Sequence, residues 1–284
     1  DLHVKRHSFP TRRSSDLTNF TDGFHSPDFV VKCAKQNGLK AIAITDHNCL
    51  DALPLAKKTA EKEKIELITG VEINCEATEI LAYFFDTSYE PLLKILEENK
   101  KSINDVMVQK IYWLKDNGYN IEIDDVLKFT GPTKNLMATH LALELKRKGY
   151  AKDLPDAFIT IIKKINAGYK PKRISTKKII SEIKSAGGVA VLPHPWYLPL
   201  SLRNDFENYI SKLSGYGLVG VETTGPHEIK HEKFLENCKE ITKRFDLIET
   251  GGSDFHGLEY FPENIIGKYT VDYSIIKKLR EKII

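Results

Sequence analysis

The chain is poor in the residues that mark several protein classes. Its 284 residues hold four cysteines (Cys33, Cys49, Cys75 and Cys238), none in a Cys-x-x-Cys pair. Neither a disulfide framework nor a thiolate zinc site is indicated, and buried reduced thiols in a cytoplasmic protein are the expectation. No run reaches the ~18–20 apolar residues of a membrane helix, so no membrane association is expected. The opening Asp1-Leu2-His3-Val4 is polar and then basic, unlike a signal peptide. It begins without Met inside a strand-like run, and a native start upstream of Asp1 is expected. A surplus of one charge is also lacking: 42 Lys and Arg against 39 Asp and Glu give +3. That is too little for a surface that coats nucleic acid, although Lys clusters can steer small anions. There is no Gly-x-Ser-x-Gly elbow, internal repeat or low-complexity linker, and nothing demands an obligate protein partner.

What is present is the balance of a soluble globular protein, with 41% hydrophobic and 29% charged residues. Short apolar runs alternate with amphipathic helices. A helix over 26–34 ends at Asn37-Gly38, and a strand over 40–45 ends in Asp46-His47. A helix over 52–62 leads to a strand over 65–69, followed by Gly70-Val71-Glu72, and then to a strand over 80–85. This rhythm predicts βαβ units and a parallel sheet. From 91 to 172 only helical patterns occur (92–117, 123–129, 139–148 and 154–167), which reads as a helical insertion or cap. The alternation resumes with strands over 189–192, 218–222 and 247–250.

The metal-capable residues fall at the ends of these strands: Asp46-His47, Glu72, His194 and the pair Asp254 and His256. In an α/β barrel the C-terminal strand ends share one face, so residues far apart in sequence converge. Neutral imidazole and carboxylate suit Zn, Mn or Fe, and a carboxylate such as Glu72 can bridge two ions. Two ions close together polarise a phosphoryl oxygen and generate hydroxide near neutral pH. Ser253 reads as a turn-shaping residue rather than a nucleophile.

The order and spacing of several motifs carry a family resemblance. They are Asp1-Leu2-His3-Val4, Asp22-Gly23 with Ser26-Pro27, Ala43-Ile44-Thr45-Asp46-His47, Gly70-Val71-Glu72, Leu192-Pro193-His194-Pro195, Gly220-Val221-Glu222 and Gly252-Ser253-Asp254-Phe255-His256-Gly257. Together they resemble the PHP-domain (polymerase and histidinol phosphatase) family of metal-dependent phosphoesterases. The resemblance implies a distorted (β/α)7 TIM-like barrel, residues 1–90 and 173–284, carrying the insertion 91–172. It implies two or three divalent ions (Mn, Fe or Zn) held by His3, Asp22, His47, Glu72, His194, Asp254 and His256. Asp254 or His256 would also manage the leaving-group proton, and metal-bound hydroxide would attack phosphorus. The implied substrates are small phosphomonoesters, nucleoside 3′,5′-bisphosphates or the 5′ ends of short RNAs. Histidinol phosphate is the alternative within the class. A non-catalytic metal-binding module and amide hydrolysis are the alternatives outside it.

This chain departs from the family pattern in three places. The family opens with His-x-His and then Asp-Gly; here His3-Val4 runs into residues 5–17, and Asp22-Gly23 arrives late. The stretch 7–17 resembles the translated adapter of a sequencing library and reads as an artefactual insertion that loops out. The alternative is a genuine surface loop in which Arg12-Arg13 pairs with phosphate. Asp46 stands as a possible further ligand. Glu79 occupies a position where many members have a His, and is either a substituted ligand or a solvated strand residue. Met137-Ala138-Thr139-His140 stands where relatives show Gly-Arg-Pro-His. His140, Lys134 and Arg173 are therefore the candidates for substrate contact.

Overall fold

The computed structural model of the chain describes residues 12–165, 168–226, 231–257 and 261–283. Its strands are β1 (Arg12–Asp16), β2 (Ala41–Ile44), β3 (Glu66–Asn74), β4 (Glu79–Tyr83), β5 (Val189–Leu192), β6 (Leu218–Thr224), β7 (Ile248–Gly251) and β8 (Val271–Asp272). All eight form one sheet in the order β7-β6-β5-β4-β3-β2-β1-β8. Helices α1 (Pro27–Gln36) and α2 (Leu53–Glu63) flank β2 in sequence. Between β4 and β5 lie α3 (Glu90–Asp116), α4 (Ile123–Leu127), α5 (Ala138–Arg147), α6 (Leu154–Ala157), a π turn (Phe158–Ile162), α7 (Lys163–Ile165) and α8 (Thr176–Ser185). Helices α9 (Leu200–Asn204), α10 (Phe206–Tyr216), α11 (Glu232–Arg244) and α12 (Ser274–Arg280) complete the chain.

Successive side chains of a strand point to opposite faces, and here both faces are covered. Ala41 and Ala43 of β2 join Ile68, Leu81, Val189, Val191 and Ile248 in one apolar cluster. Ile42 and Ile44 pack on the other side with Val30, Val31, Ala52 and Ala56. Burial on both faces is why the strands read as unbroken apolar runs rather than as alternating ones.

The fold is mixed α/β with a curled sheet. Its β7 and β1 ends meet at a single parallel bridge between Asp16 and Phe255, where Leu17 N donates to Phe255 O at 3.0 Å. Among the described residues no continuous ladder closes β7 on β1 into a full barrel.

Two expectations are corrected. The sheet is not wholly parallel: β4 runs antiparallel to both β3 and β5. The link from β3 to β4 is too short for a crossover, so only a hairpin can form. In addition, Arg12–Asp16, expected to loop out, pairs in parallel with β2 from Arg13↔Ala41 to Asp16↔Ile44. Pairing uses backbone groups, and an open edge of β2 needs them satisfied whatever side chains arrive. His3 and the remainder of the segment up to residue 11 lie outside the described residues.

Helix α3, 27 residues long, spans about 40 Å. Its first half buries Leu92, Ile95 and Leu96 against the cluster that holds α8 and β5. Its second half buries Met107, Ile111 and Leu114 in a separate core with α5, Ile161 and Ile165. One rigid rod therefore carries the helical region against the sheet.

Candidate metal centre

The loop after β1 is held from below by Asp46. Thr18 N and Thr21 Oγ1 donate to Asp46 Oδ1 at 2.8 and 2.7 Å, and Thr18 Oγ1 donates to Oδ2 at 2.6 Å. Burial pushes this carboxyl up to about 6 against those hydrogen bonds. Both oxygens of Asp46 are thus engaged in shaping the loop, and it stands outside the compact ligand groups.

That loop presents Asp22. Its Oδ1 lies 3.8 Å from His47 Nε2 and 3.8 Å from His256 Nε2, and it is buried without a hydrogen-bond partner. Burial raises its pKa, but the His256, His47 and His140 rings and the Thr139 hydroxyl outweigh that and hold it below the usual carboxylate value. His256 Nδ1 sits 2.8 Å from Asp254 O, so an Nδ1–H donor leaves the Nε2 lone pair facing Asp22. A spacing of 3.8 Å is too long for a hydrogen bond, yet two ligand atoms each about 2.1 Å from one ion can be up to ~4.2 Å apart. Asp22, His47 and His256 therefore fit a shared divalent ion.

A second group adjoins the first through the same ring. His47 Nδ1 is 3.6 Å from Glu79 Oε1 and 3.9 Å from Glu72 Oε2, and it too is buried without a hydrogen-bond partner. A neutral imidazole has one lone pair, so His47 can serve only one group at a time. Beside this group His194 Nε2 lies 2.7 Å from Glu72 Oε1 and 3.5 Å from Glu79 Oε2. Its backbone N–H donates to Glu222 Oε2 at 3.1 Å. Glu72 does not follow its strand but sits inside β3, past the point at Thr69 and Gly70 where the ladder passes from β2 to β4, and it bridges back to His47.

The electrostatics are those of crowded carboxylates around imidazoles. Burial disfavours charge on His47, but Glu72, Asp22, Glu79 and Asp254 prevail and push its pKa up to about 9. In the same way burial opposes, and Glu72, Glu79 and Asp254 favour, a charged His194, whose pKa goes up to about 10. Burial, then the neighbouring Glu79, raises Glu72, and burial pushes Glu222 up to about 7. The backbone at the site is strained: Asn48, His194 and Asp254 have φ of 49°, 28° and 48°. Such left-handed geometry is uncommon for side chains other than glycine, with Asn and Asp tolerating it best, and it recurs at functional sites.

The remaining candidates fall at different depths. Asp254 is partly open, with its side chain 20% exposed and Oδ1 3.7 Å from His256 Nδ1. His140 is buried at the start of α5, where its Nδ1 accepts from Met137 N at 3.2 Å. Burial lowers its pKa, opposed by Asp22. Arg173 lines a pocket of about 270 Å³ together with Asn74, Glu79, His194 and Tyr197. Lys134 is exposed, and among the described residues no hydrogen bond or ion pair joins it to the ligand groups.

Sequence reasoning missed an asparagine network beneath Glu79. Asn74 Nδ2 donates to Glu79 Oε1 at 2.5 Å, Asn48 Nδ2 to Asn74 Oδ1 at 2.6 Å, and Asn99 Nδ2 to both Asn48 Oδ1 and Asn74 O. Asn99 is 1% exposed in α3. A buried Asn on an amphipathic helix was the available signal, since such a group needs partners.

Comparison with known proteins gives the family and the fold. The PHP-domain profile matches residues 17–165. A phosphoribosyl 1,2-cyclic phosphate 1,2-diphosphodiesterase of Eggerthella lenta is 24% identical over 268 residues, which is 90% of this chain and 94% of the relative. A 3′,5′-nucleoside bisphosphate phosphatase of Chromobacterium violaceum is 25% identical over 246 residues, 83% of this chain and 84% of the relative. A solved structure described as a metal-dependent phosphoesterase from Bifidobacterium adolescentis superposes with a TM-score of 0.85 at 24% identity. It covers 97% of this chain and 98% of that one, and the likeness is one of fold.

Proposed function

Because this chain belongs to the PHP-domain family, we propose that it is a metal-dependent phosphoesterase acting on small phosphomonoesters, nucleotides first. The curled sheet is read as a distorted (β/α)7 barrel, and residues 91–172 as a cap over its metal face. The observation that carries the reading is Asp22 Oδ1, buried, without a hydrogen-bond partner and equidistant from two imidazole nitrogens. The imidazole and carboxylate donors fit Mn, Fe or Zn. Asp22, His47, His256, Glu72, Glu79, His194 and Asp254 would hold two or three ions, with His3 completing the set by resemblance. Bound there, the ions supply Lewis-acid neutralisation of charge at phosphorus.

The protein groups divide the remaining work. His256 is locked through Nδ1 and presents Nε2 inward. Asp254 is partly open to solvent and borders His256, which suits it to hold the leaving-group proton. Arg173 faces the same pocket as Glu79 and His194 and would pair with a substrate oxygen.

The relatives named above act on different phosphate esters, so substrate choice is decided by assay. Purified protein would be analysed for metal and then screened with a nucleoside 3′,5′-bisphosphate, a nucleoside monophosphate, histidinol phosphate and a 5′-phosphorylated RNA oligomer. Phosphate release that a chelator stops and Mn restores is the expected result. Metal uptake with no release from any substrate would leave a non-catalytic module and overturn the reading.

A further inference from the structure

Glu79 is the most open member of the group it forms with His47 and Glu72: its side chain is 25% exposed, against 11% and 3%. A glutamate so placed can swing its carboxylate into solvent unless a partner outweighs the rotamer freedom it gives up. Asn74 is that partner. It faces Glu79 across the β3–β4 ladder, and its Nδ2 donates to Glu79 Oε1 at 2.5 Å. So held, Glu79 keeps Oε1 3.6 Å from His47 Nδ1 and Oε2 3.5 Å from His194 Nε2.

An amide free to rotate holds nothing, and Asn74 is itself fixed. Asn48 Nδ2 donates to its Oδ1 at 2.6 Å, which decides that the NH2 end faces Glu79. Its backbone N–H donates to Asn48 Oδ1 at 3.2 Å, and its carbonyl accepts from Asn99 Nδ2 at 2.7 Å. Asn99 Nδ2 also donates to Asn48 Oδ1 at 3.0 Å. Asn48 directly follows His47, and its backbone N–H donates to Glu72 O at 2.8 Å.

Asn99 reaches this network from α3. It lies on the buried stripe that Leu92, Ile95 and Leu96 begin, at the place where the two cores along that helix meet. Helical spacing suits a leucine there. The amide instead leaves Oδ1 buried without a hydrogen-bond partner, a loss of stability that packing alone does not require. What the amide adds is Nδ2, shared between Asn48 and Asn74.

We propose that Asn99 is a positioning residue: through Asn48 and Asn74 it holds Glu79 in the metal centre, so that docking of the helical region on the sheet sets the second ligand group. Asn99 itself touches neither ion nor substrate. The inference rests on the reading that His47, Glu72 and Glu79 hold an ion.

Mn titration by calorimetry tests it without any substrate. N99L places a hydrocarbon on an apolar stripe, and N74L removes the direct donor. Each should weaken Mn binding roughly tenfold, the scale for loss of a group that orients a ligand. In an E79A background N99L should have no further effect, because its route ends at Glu79. The paramagnetic resonance spectrum of bound Mn should likewise change with N99L when Glu79 is present and not when it is alanine. An equal loss with and without Glu79 would make Asn99 a packing residue and overturn the inference. So would Mn binding that E79A weakens and that N99L and N74L leave unchanged. Binding indifferent to E79A would remove Glu79 from the ligands and the inference with it, while no uptake by the unaltered chain would overturn the metal centre itself.

Discussion

Thr139 and Asp22, 117 residues apart, are joined by a hydrogen bond of 3.0 Å from Thr139 Oγ1 to Asp22 Oδ2. The first turn of α5 thus grips the carboxylate whose other oxygen faces His47 and His256. Thr133 Oγ1 adds a second tie, donating to Phe20 O at 2.6 Å. The helical region thus helps to set the position of a candidate ligand.

Thr139→Val keeps the shape and removes the donor. Metal affinity, followed by Mn titration, should fall roughly tenfold, as for loss of a partner that orients a ligand. Stability to urea should fall by only about 1 kcal/mol. Unchanged affinity would mean that Asp22 is positioned by other contacts.

Gly131 meets the same loop without any side chain. A Cβ built there would lie 1.5 Å from Asn19 O, whereas one at Gly215 in α10 meets nothing within 4 Å. Gly131→Ala should therefore cost about 1–3 kcal/mol in urea unfolding and weaken Mn binding as the loop shifts. Gly215→Ala should be neutral or slightly stabilising. Equal behaviour of the two variants would refute the close approach.

The pH dependence follows from His47 and His194, pushed up to about 9 and about 10 by the surrounding carboxylates. Both are charged at neutral pH in the metal-free chain, while a metal needs the neutral ring. Mn uptake should release protons and strengthen as pH rises from 6.5 to 8.5, which calorimetry in buffers of different ionisation heat would detect. Stability of the metal-free protein runs the other way. The folded pKa values exceed the unfolded value near 6.5, so the contribution is whole below that pH and disappears through about 9 to 10. Proton-neutral uptake would contradict these assignments.

Replacing residues 5–17 by a single histidine joins Val4 through that residue to Thr18 and sets an imidazole where Leu17 now stands. The chain as given is expected to hydrolyse poorly, and the replacement should raise both Mn affinity and kcat/KM. Equal activity of the two chains would show that residues 5–17 do not damage the first strand end.

Much of this could be read before any coordinates. Ile42, Ile44, Val191 and Leu192 announce their strands because both faces of the sheet are covered. The residues following them converge because strand ends of one sheet share an edge. The direction of β4 was hidden, since the periodicity of Ile80 to Tyr83 is the same whichever way the strand runs. β1 was hidden because Arg-Arg-Ser-Ser-Asp has no apolar pattern and pairs by backbone alone. Asp46 looked like a ligand beside His47, but its bonds to Thr18 and Thr21 depend on a loop that no local rule places.

The left-handed backbone at Asn48, His194 and Asp254 means that the most heat-resistant sequence for this fold and its working sequence differ. Glycine at any of the three would relieve at most about 1–2 kcal/mol of steric strain while deleting an amide, an imidazole or a carboxylate from the centre, and at Asn48 and His194 it would strand the buried partners Asn74, Asn99 and Glu72. A library selected for thermal survival alone is freest to drift to glycine at Asp254, whose side chain is part-exposed. One selected for turnover should keep all three and accumulate its compensating gains elsewhere in the chain.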